Sequence, residues 1–132
     1  MEKPSVAYAV EDGLGAGEFI DVLRRSGLDA RRPVDEPARI GRMLGHANLV
    51  VTARDDRRRL IGVARSLTDF SFCCYVSDLA VDRAWQGRGI GRELLRRTHE
   101  AAGGAKDVTL LLLAAPDAMG YYPKAGLDRF DN

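Results

Sequence analysis

The second half of the sequence contains a strand-loop-helix-strand pattern that restricts the fold more than any other feature. Residues 72–81 are rich in strand formers, and residues 90–102 repeat apolar side chains at helical spacing until Gly103 and Gly104. Residues 108–114 are almost wholly apolar, as in a strand that is covered on both faces and is parallel to a neighbour. A helix that connects two parallel strands requires a sheet with helices on its faces. The pattern therefore predicts an α/β fold with a mixed sheet and places the 108–114 strand in mid-sheet.

The remaining elements complete one predicted domain over residues 1–132. The charged segment 54–59 is typical of a hairpin turn, and the short link 69–71 makes three consecutive strands an antiparallel meander. The predicted order is β-α-α-β-β-β-α-β-α-β with a short or missing last strand. Its elements are strand 5–10, helix 16–26, helix 37–44, strands 48–53, 60–67 and 72–81, helix 90–102, strand 108–114, helix 117–122 and strand 127–130.

Charge and composition argue against several classes of protein. The formal net charge is +1, which gives no general attraction to nucleic acid or to acidic membranes. Cys73 and Cys74 are adjacent on a predicted strand and point to opposite faces, so we expect no disulfide between them. No apolar run approaches the length of a membrane span, and the first ten residues lack the apolar core of a signal peptide. These features predict a cytoplasmic protein.

The segment Gln86-Gly87-Arg88-Gly89-Ile90-Gly91 joins the predicted strand to the predicted long helix and is typical of an anion-binding loop. Closely spaced glycines let backbone N–H groups converge on one phosphate, and the helix N-terminus adds free donors and a favourable dipole. The alternative is a glycine-rich turn that only caps the helix. A second cluster, at residues 13–17, has the same glycine spacing, and we interpret it as a flexible turn beside the active site.

The loop and the residues before it resemble the acyl-CoA signature of the GNAT superfamily of N-acetyltransferases. The matching residues are Leu79-Ala80-Val81 followed by the segment 86–91, and a second segment, 121–127, resembles that family's F-Y-x-K-x-G-F pattern. The resemblance implies a mixed sheet that is splayed between the strand before the loop and the strand after the helix. It also implies acetyl-CoA as the cofactor and transfer of the acetyl group to a primary amine of a small molecule or peptide by direct attack.

The resemblance assigns roles to individual residues. The backbone of residues 79–81 is expected to bind the pantetheine arm, and residues 86–92 are expected to surround the pyrophosphate. The implied cofactor-binding residues are Leu79, Ala80, Val81, Gln86, Gly87, Arg88, Gly89, Ile90, Gly91 and Arg92. Tyr122 aligns with a tyrosine that can protonate the leaving thiolate, although it can also be a packed aromatic residue. Asp78 is the predicted base, with Glu18 or Glu36 acting through water as alternatives.

Two other functions remain open at this point. A non-catalytic acyl-CoA-binding or sensor module would use the loop without the tyrosine, and a thiol enzyme would use Cys73 or Cys74 as an acyl acceptor. No metal site is predicted. The chain stops six residues after Gly126, which leaves too little length for a full last strand. An open sheet edge would make a homodimer plausible.

Overall fold

The computed structural model describes residues 5–113, which form a five-stranded sheet in the order β1-β2-β3-β4-β5 with helices on both faces. The elements in chain order are β1 Ala7–Val10, α1 Ala16–Ser26, α2 Pro37–His46, β2 Leu49–Arg54, β3 Leu60–Thr68, β4 Cys73–Val81, α3 Ile90–Ala102 and β5 Thr109–Leu112. Short 3-10 turns at Leu28–Arg31 and Arg83–Trp85 precede α2 and α3.

The predicted α/β class and element order are confirmed up to β5. β1 to β4 form an antiparallel meander, and β4 pairs with β5 in parallel through the α3 crossover. α1 and α3 have the predicted bounds, while α2 continues to His46. The predicted helix 117–122 and strand 127–130 lie outside the described residues. Within the described part β5 is an outer strand with one partner, so the mid-sheet placement of this strand stays a prediction.

The two faces of the sheet are covered by different helices. α3 packs Ile90, Leu94 and Leu95 on one face, where all three are at most 4% exposed. α1 and α2 cover the other face with a second apolar cluster that includes Phe19, Leu23 and Ile40. Amphipathic helices bury one stripe in this way because apolar side chains recur every three or four residues. The sheet is therefore held between two cores, and its strands β2 and β3 are largely buried.

The hairpin turn after β2 is closed by its own side chains. The Asp55 carboxylate accepts hydrogen bonds from the amides of Arg57 and Arg59, each at 2.9 Å. Arg54 turns back and pairs with Glu11 and Glu18. Arg57, Arg58 and Arg59 therefore belong to a turn, as predicted, while Arg54 is the last residue of β2.

The cysteines also conform to the sequence prediction. Cys74 is buried, Cys73 is partly exposed, and both are free thiols. Among the described residues, no helix is both long enough and apolar enough to cross a membrane.

Candidate active site

The C-terminal half of β4 has one edge without a strand partner in the part of the chain that the structure describes. β5 pairs with β4 only from Cys73 to Val76, whereas β3 pairs with it as far as Val81 on the other side. We call residues 77–81 the open stretch. Within residues 5–113 no strand lies along this edge, and such an edge can bind an extended ligand as an added strand. The predicted pantetheine-binding residues 79–81 lie within it.

A β-bulge marks the start of the open stretch. Arg65 is opposite Asp78 and Ser66 is opposite Val76, so Ser77 has no partner on β3. Val76 packs in the core under α3, whereas Ala80 packs in the core under α1 and α2. In a regular strand these two side chains would lie on the same face. The bulge therefore turns Asp78, as well as Ala80, toward the side of α1.

The loop between β4 and α3 presents a row of backbone N–H groups. Gly87 and Gly89 have φ angles of 78° and 81°, which favour glycine, and Gly89 begins α3 without a side-chain cap. Among the described residues, no acceptor receives a hydrogen bond from the amides of residues 87–92. These amides stand at the positive end of a 13-residue helix. The geometry is that of an anion-binding site.

The side chains of the loop divide between support and ligand binding. Ile90 is 3% exposed and packs inward, while Arg92 is exposed. The Gln86 side chain donates to the carbonyl of Val81 at 2.9 Å and so ties the loop to the end of the open stretch. Arg88 stacks its guanidinium over the Trp85 ring, 4.9 Å from the centroid. Arg88 and Arg92 thus supply positive charge beside the free amides.

Asp82 connects the loop to α1, and sequence reasoning missed this contact. Its carboxylate accepts from the Ala84 amide at 2.9 Å and from Arg25 at 2.5 Å, and Arg25 also donates to the carbonyl of Leu60. Burial opposes ionisation of Asp82, but the Ala84 amide and the Arg25 guanidinium outweigh it, so the pKa of this carboxyl lies below its ordinary value. The only signal in the sequence was a basic residue in the last turn of α1, which is also a common helix feature.

Asp78, the predicted base, lies in a buried ion-pair triad. Its side chain is 0% exposed, and one oxygen accepts from Nε of Arg32 while the other accepts from Nε of Arg65. A base must offer a free lone pair within hydrogen-bond reach of the proton that it removes. Both carboxylate oxygens of Asp78 are already bound to guanidinium groups, so this arrangement does not support the predicted base role.

The two alternative bases, and also His99, are engaged in other contacts. Glu18 pairs with Arg54 at 2.7 Å, and that hydrogen bond lowers the pKa of Glu18. Glu36 is exposed and pairs with Arg39 on the next turn of α2. His99 contacts the carbonyl of Val108 at 2.5 Å through Nε2, a partner that the sequence did not reveal. Tyr122 and the whole segment 121–127 lie outside the described residues.

The second glycine cluster lines a different cavity. Gly13 and Leu14 meet the C-terminal half of α2 and the start of β2 around a cavity of about 300 Å³, to which neither β4 nor the loop 86–92 contributes. The turn follows β1, which is three positions from β4 in the strand order, and its place beside the active site stays a prediction. Within residues 5–113 no group of histidine, cysteine and acidic side chains is placed to bind a metal.

Comparison with protein families and curated proteins identifies a matching family and several relatives. Residues 45–126 match the family described as acetyltransferase (GNAT) domain. An uncharacterized N-acetyltransferase, ycf52, of Porphyra purpurea is 28% identical over 86 residues, which are 63% of this chain and 49% of that protein. The chain spans about half the length of the curated relatives that it matches.

Solved structures share the fold along nearly the whole chain. A GNAT family N-acetyltransferase of Escherichia coli, YhbS, in complex with CoA superposes with a TM-score of 0.71 and 23% identity, covering 97% of this chain and 71% of that one. An aminoglycoside N-acetyltransferase, AAC(6')-Iy, also in complex with CoA, superposes with a TM-score of 0.73 and 13% identity, covering 99% and 93%. At these sequence identities the structural similarity shows a shared fold alone.

Proposed function

This chain belongs to the acetyltransferase (GNAT) family, and from that premise we propose that it is an acetyl-CoA-dependent N-acetyltransferase. The proposed acceptor is a primary amine of a small molecule or peptide. The observation that carries the proposal is the row of amides at residues 87–92, which donate to no acceptor within residues 5–113 and lie at the positive end of α3. A pyrophosphate satisfies such donors because its oxygens are strong acceptors and its charge is opposite to that of the helix end.

The residues that would hold CoA fit its parts in order along the chain. The loop amides would bind the pyrophosphate. Arg88, which stacks on Trp85 in the free protein, and Arg92 would each place a positive charge beside the phosphate oxygens. The open stretch would bind the amides of the pantetheine arm through its free strand edge. The YhbS structure supports this assignment because that protein, with the same fold, was solved with CoA.

The chemistry follows from this placement. Acetyl-CoA supplies an acetyl group activated as a thioester. A backbone N–H near Leu79 or Ala80 would donate to the carbonyl oxygen as negative charge develops there. Tyr122 would donate its phenolic proton to the departing thiolate. The attacking amine must be neutral, and because the carboxylate of Asp78 is occupied, its proton would leave through water.

Cofactor binding can be tested with the natural fluorescence of the chain. Trp85 is the only tryptophan in the sequence, and it lies directly before the loop, under Arg88. We expect CoA to change its emission, with pantetheine alone binding at least tenfold more weakly because it lacks the pyrophosphate. Gly87→Ala should weaken CoA binding since the left-handed φ disfavours alanine, whereas Gly17→Ala, in the exposed first turn of α1, is the matched control.

Turnover is tested by release of the CoA thiol from acetyl-CoA in the presence of an amine panel. The panel contains polyamines, aminoglycosides, amino acids and peptides with free N-termini, and the two free cysteines of the protein set a constant background. Release that depends on an amine supports the enzyme. CoA binding without release on any amine would refute the transferase proposal and favour the binding or sensor module.

A further inference from the structure

The buried triad at Asp78 has no role in binding CoA or in acid-base catalysis as described above, yet it lies at the start of the open stretch. Its side-chain exposures are 0% for Asp78, 8% for Arg65 and 23% for Arg32. Buried charges are costly to keep unless their hydrogen bonds are nearly complete. The other contacts of the arginines therefore indicate what the triad holds in place.

Arg32 holds the backbone of the bulge directly. Besides pairing with Asp78, it donates through Nη2 to the carbonyl of Ser77 at 2.8 Å and through Nη1 to the carbonyl of Arg31 at 2.8 Å. Ser77 is the bulged residue that β3 leaves without a partner. One guanidinium thus binds the side chain and the backbone of adjacent residues on β4, with a planar geometry that lysine cannot reproduce.

Arg65 holds the same bulge from the neighbouring strand. It donates to the hydroxyl of Ser77 at 2.9 Å and to the carbonyl of Met43 on α2 at 3.3 Å. The triad therefore joins β3, the bulge of β4, the end of the 3-10 turn after α1 and the C-terminal half of α2. The triad lies on the face of the sheet that α1 and α2 cover, opposite α3.

We propose that Arg32 is a positioning residue for acetyl transfer: through the Ser77 carbonyl and Asp78 it sets the position of the open stretch that faces the thioester. This inference rests on the proposed function, because the reaction needs that stretch for its oxyanion donor. In the same arrangement the Asp78 carboxylate holds Arg32 and Arg65 in place. A shift of about 1 Å in a group that aligns the reacting atoms can reduce a rate roughly a hundredfold.

Arg32 is the member of the triad that can be replaced with least damage to the fold. Without Arg32, Asp78 keeps a one-to-one pair with Arg65, whereas loss of Asp78 leaves two guanidinium groups unpaired. Arg31 offers a matched control, since it is the preceding residue, has the same charge and is exposed. Its side chain makes no hydrogen bond or ion pair within residues 5–113.

The test compares Arg32→Gln, Arg32→Lys and Arg31→Gln in the full chain by two measurements. Amide hydrogen exchange of the peptide covering residues 77–81, without ligand, reports how firmly the backbone of this strand is held. Exchange should be at least tenfold faster in Arg32→Gln and unchanged in Arg31→Gln. For acetyl transfer, kcat should fall at least tenfold in Arg32→Gln, with CoA affinity within threefold of wild type because the pyrophosphate loop is intact. The exchange rate and kcat of Arg32→Lys should lie between those of wild type and Arg32→Gln, since lysine keeps the charge and loses the planar contact.

The outcomes separate this inference from the proposed function. Unchanged exchange in Arg32→Gln, or equal kcat in the Arg31 and Arg32 variants, would overturn the positioning role. A parallel loss of CoA affinity and kcat would also overturn it, because that result describes general damage to the fold. If wild type neither binds CoA nor transfers acetyl, the proposed function fails, while the exchange comparison still decides whether Arg32 holds the strand.

Discussion

Replacement of Gly62 by alanine is expected to destabilise the protein and to disturb the start of α3. Gly62 lies on β3 beneath the N-terminal turn of α3, next to the loop. An alanine Cβ would lie 3.0 Å from Cδ1 of Leu94, 3.2 Å from Cγ2 of Ile90 and 3.4 Å from Cβ of Ala53. All three neighbours are at most 3% exposed, so none can move into solvent. The backbone of Gly62 is not left-handed, so the effect is one of packing alone.

The expected change in the free energy of unfolding is the difference between two opposing effects. Overpacking of a dense core costs about 1–3 kcal/mol. Alanine also restricts the unfolded chain, which offsets roughly 0.4–1 kcal/mol of that loss. The net expectation is a decrease of about 1–2 kcal/mol in the free energy of unfolding, measured by urea denaturation with the fluorescence of Trp85. Gly41→Ala, where an added Cβ meets nothing within 4 Å, is the control.

A double-mutant cycle tests the cause. In a Leu94→Ala background the nearest contact of the new methyl group is gone, so Gly62→Ala should become nearly neutral, with a coupling energy of about 1 kcal/mol or more. Additive effects of the two substitutions would refute the reasoning. So would an unchanged midpoint in the single Gly62→Ala variant, since it would mean that α3 can move away from the sheet without loss.

Three further predictions concern the loop and the reaction. Asp82→Asn should lower the free energy of unfolding by about 2 kcal/mol at pH 7. The pKa of Asp82 is depressed in the folded state, so the stabilisation by its carboxylate is present above the unfolded-state pKa near 3.8 and is lost as the pH falls below it. The urea midpoints of wild type and variant should therefore converge in acid. A constant difference down to pH 2 would contradict this. Arg88→Ala and Arg92→Ala should each weaken CoA binding by roughly tenfold at low salt and less at high salt, measured by equilibrium dialysis; equal losses at both salt concentrations would argue against phosphate contacts. Tyr122→Phe should reduce kcat by about a hundredfold without changing CoA affinity, and full activity would exclude it as the general acid.

Local patterns were the most reliable part of the sequence analysis. The bounds of α1 and α3 were predicted correctly because an apolar stripe and a terminal glycine both lie within the helix segment itself. The glycines at 87 and 89 were also informative, since both adopt the left-handed conformation that the predicted loop requires. The glycine cluster at 13–17 has the same spacing but follows β1, three positions from β4 in the strand order, so its place beside the active site stays a prediction.

The sequence by itself determined the crossover, the loop and the resemblance to the family, because each of these is encoded in residues that are close along the chain. Only the tertiary structure decided which side chains Asp78 and Asp82 bind. The arginines that bind Asp78 are 46 and 13 positions away, and the arginine that binds Asp82 is 57 positions away. A bulge at Ser77 also reverses the alternation of β4. Partners brought together by folding cannot be deduced from spacing, and so a carboxylate that the sequence suggested as a base is, in the folded chain, bound between two guanidinium groups.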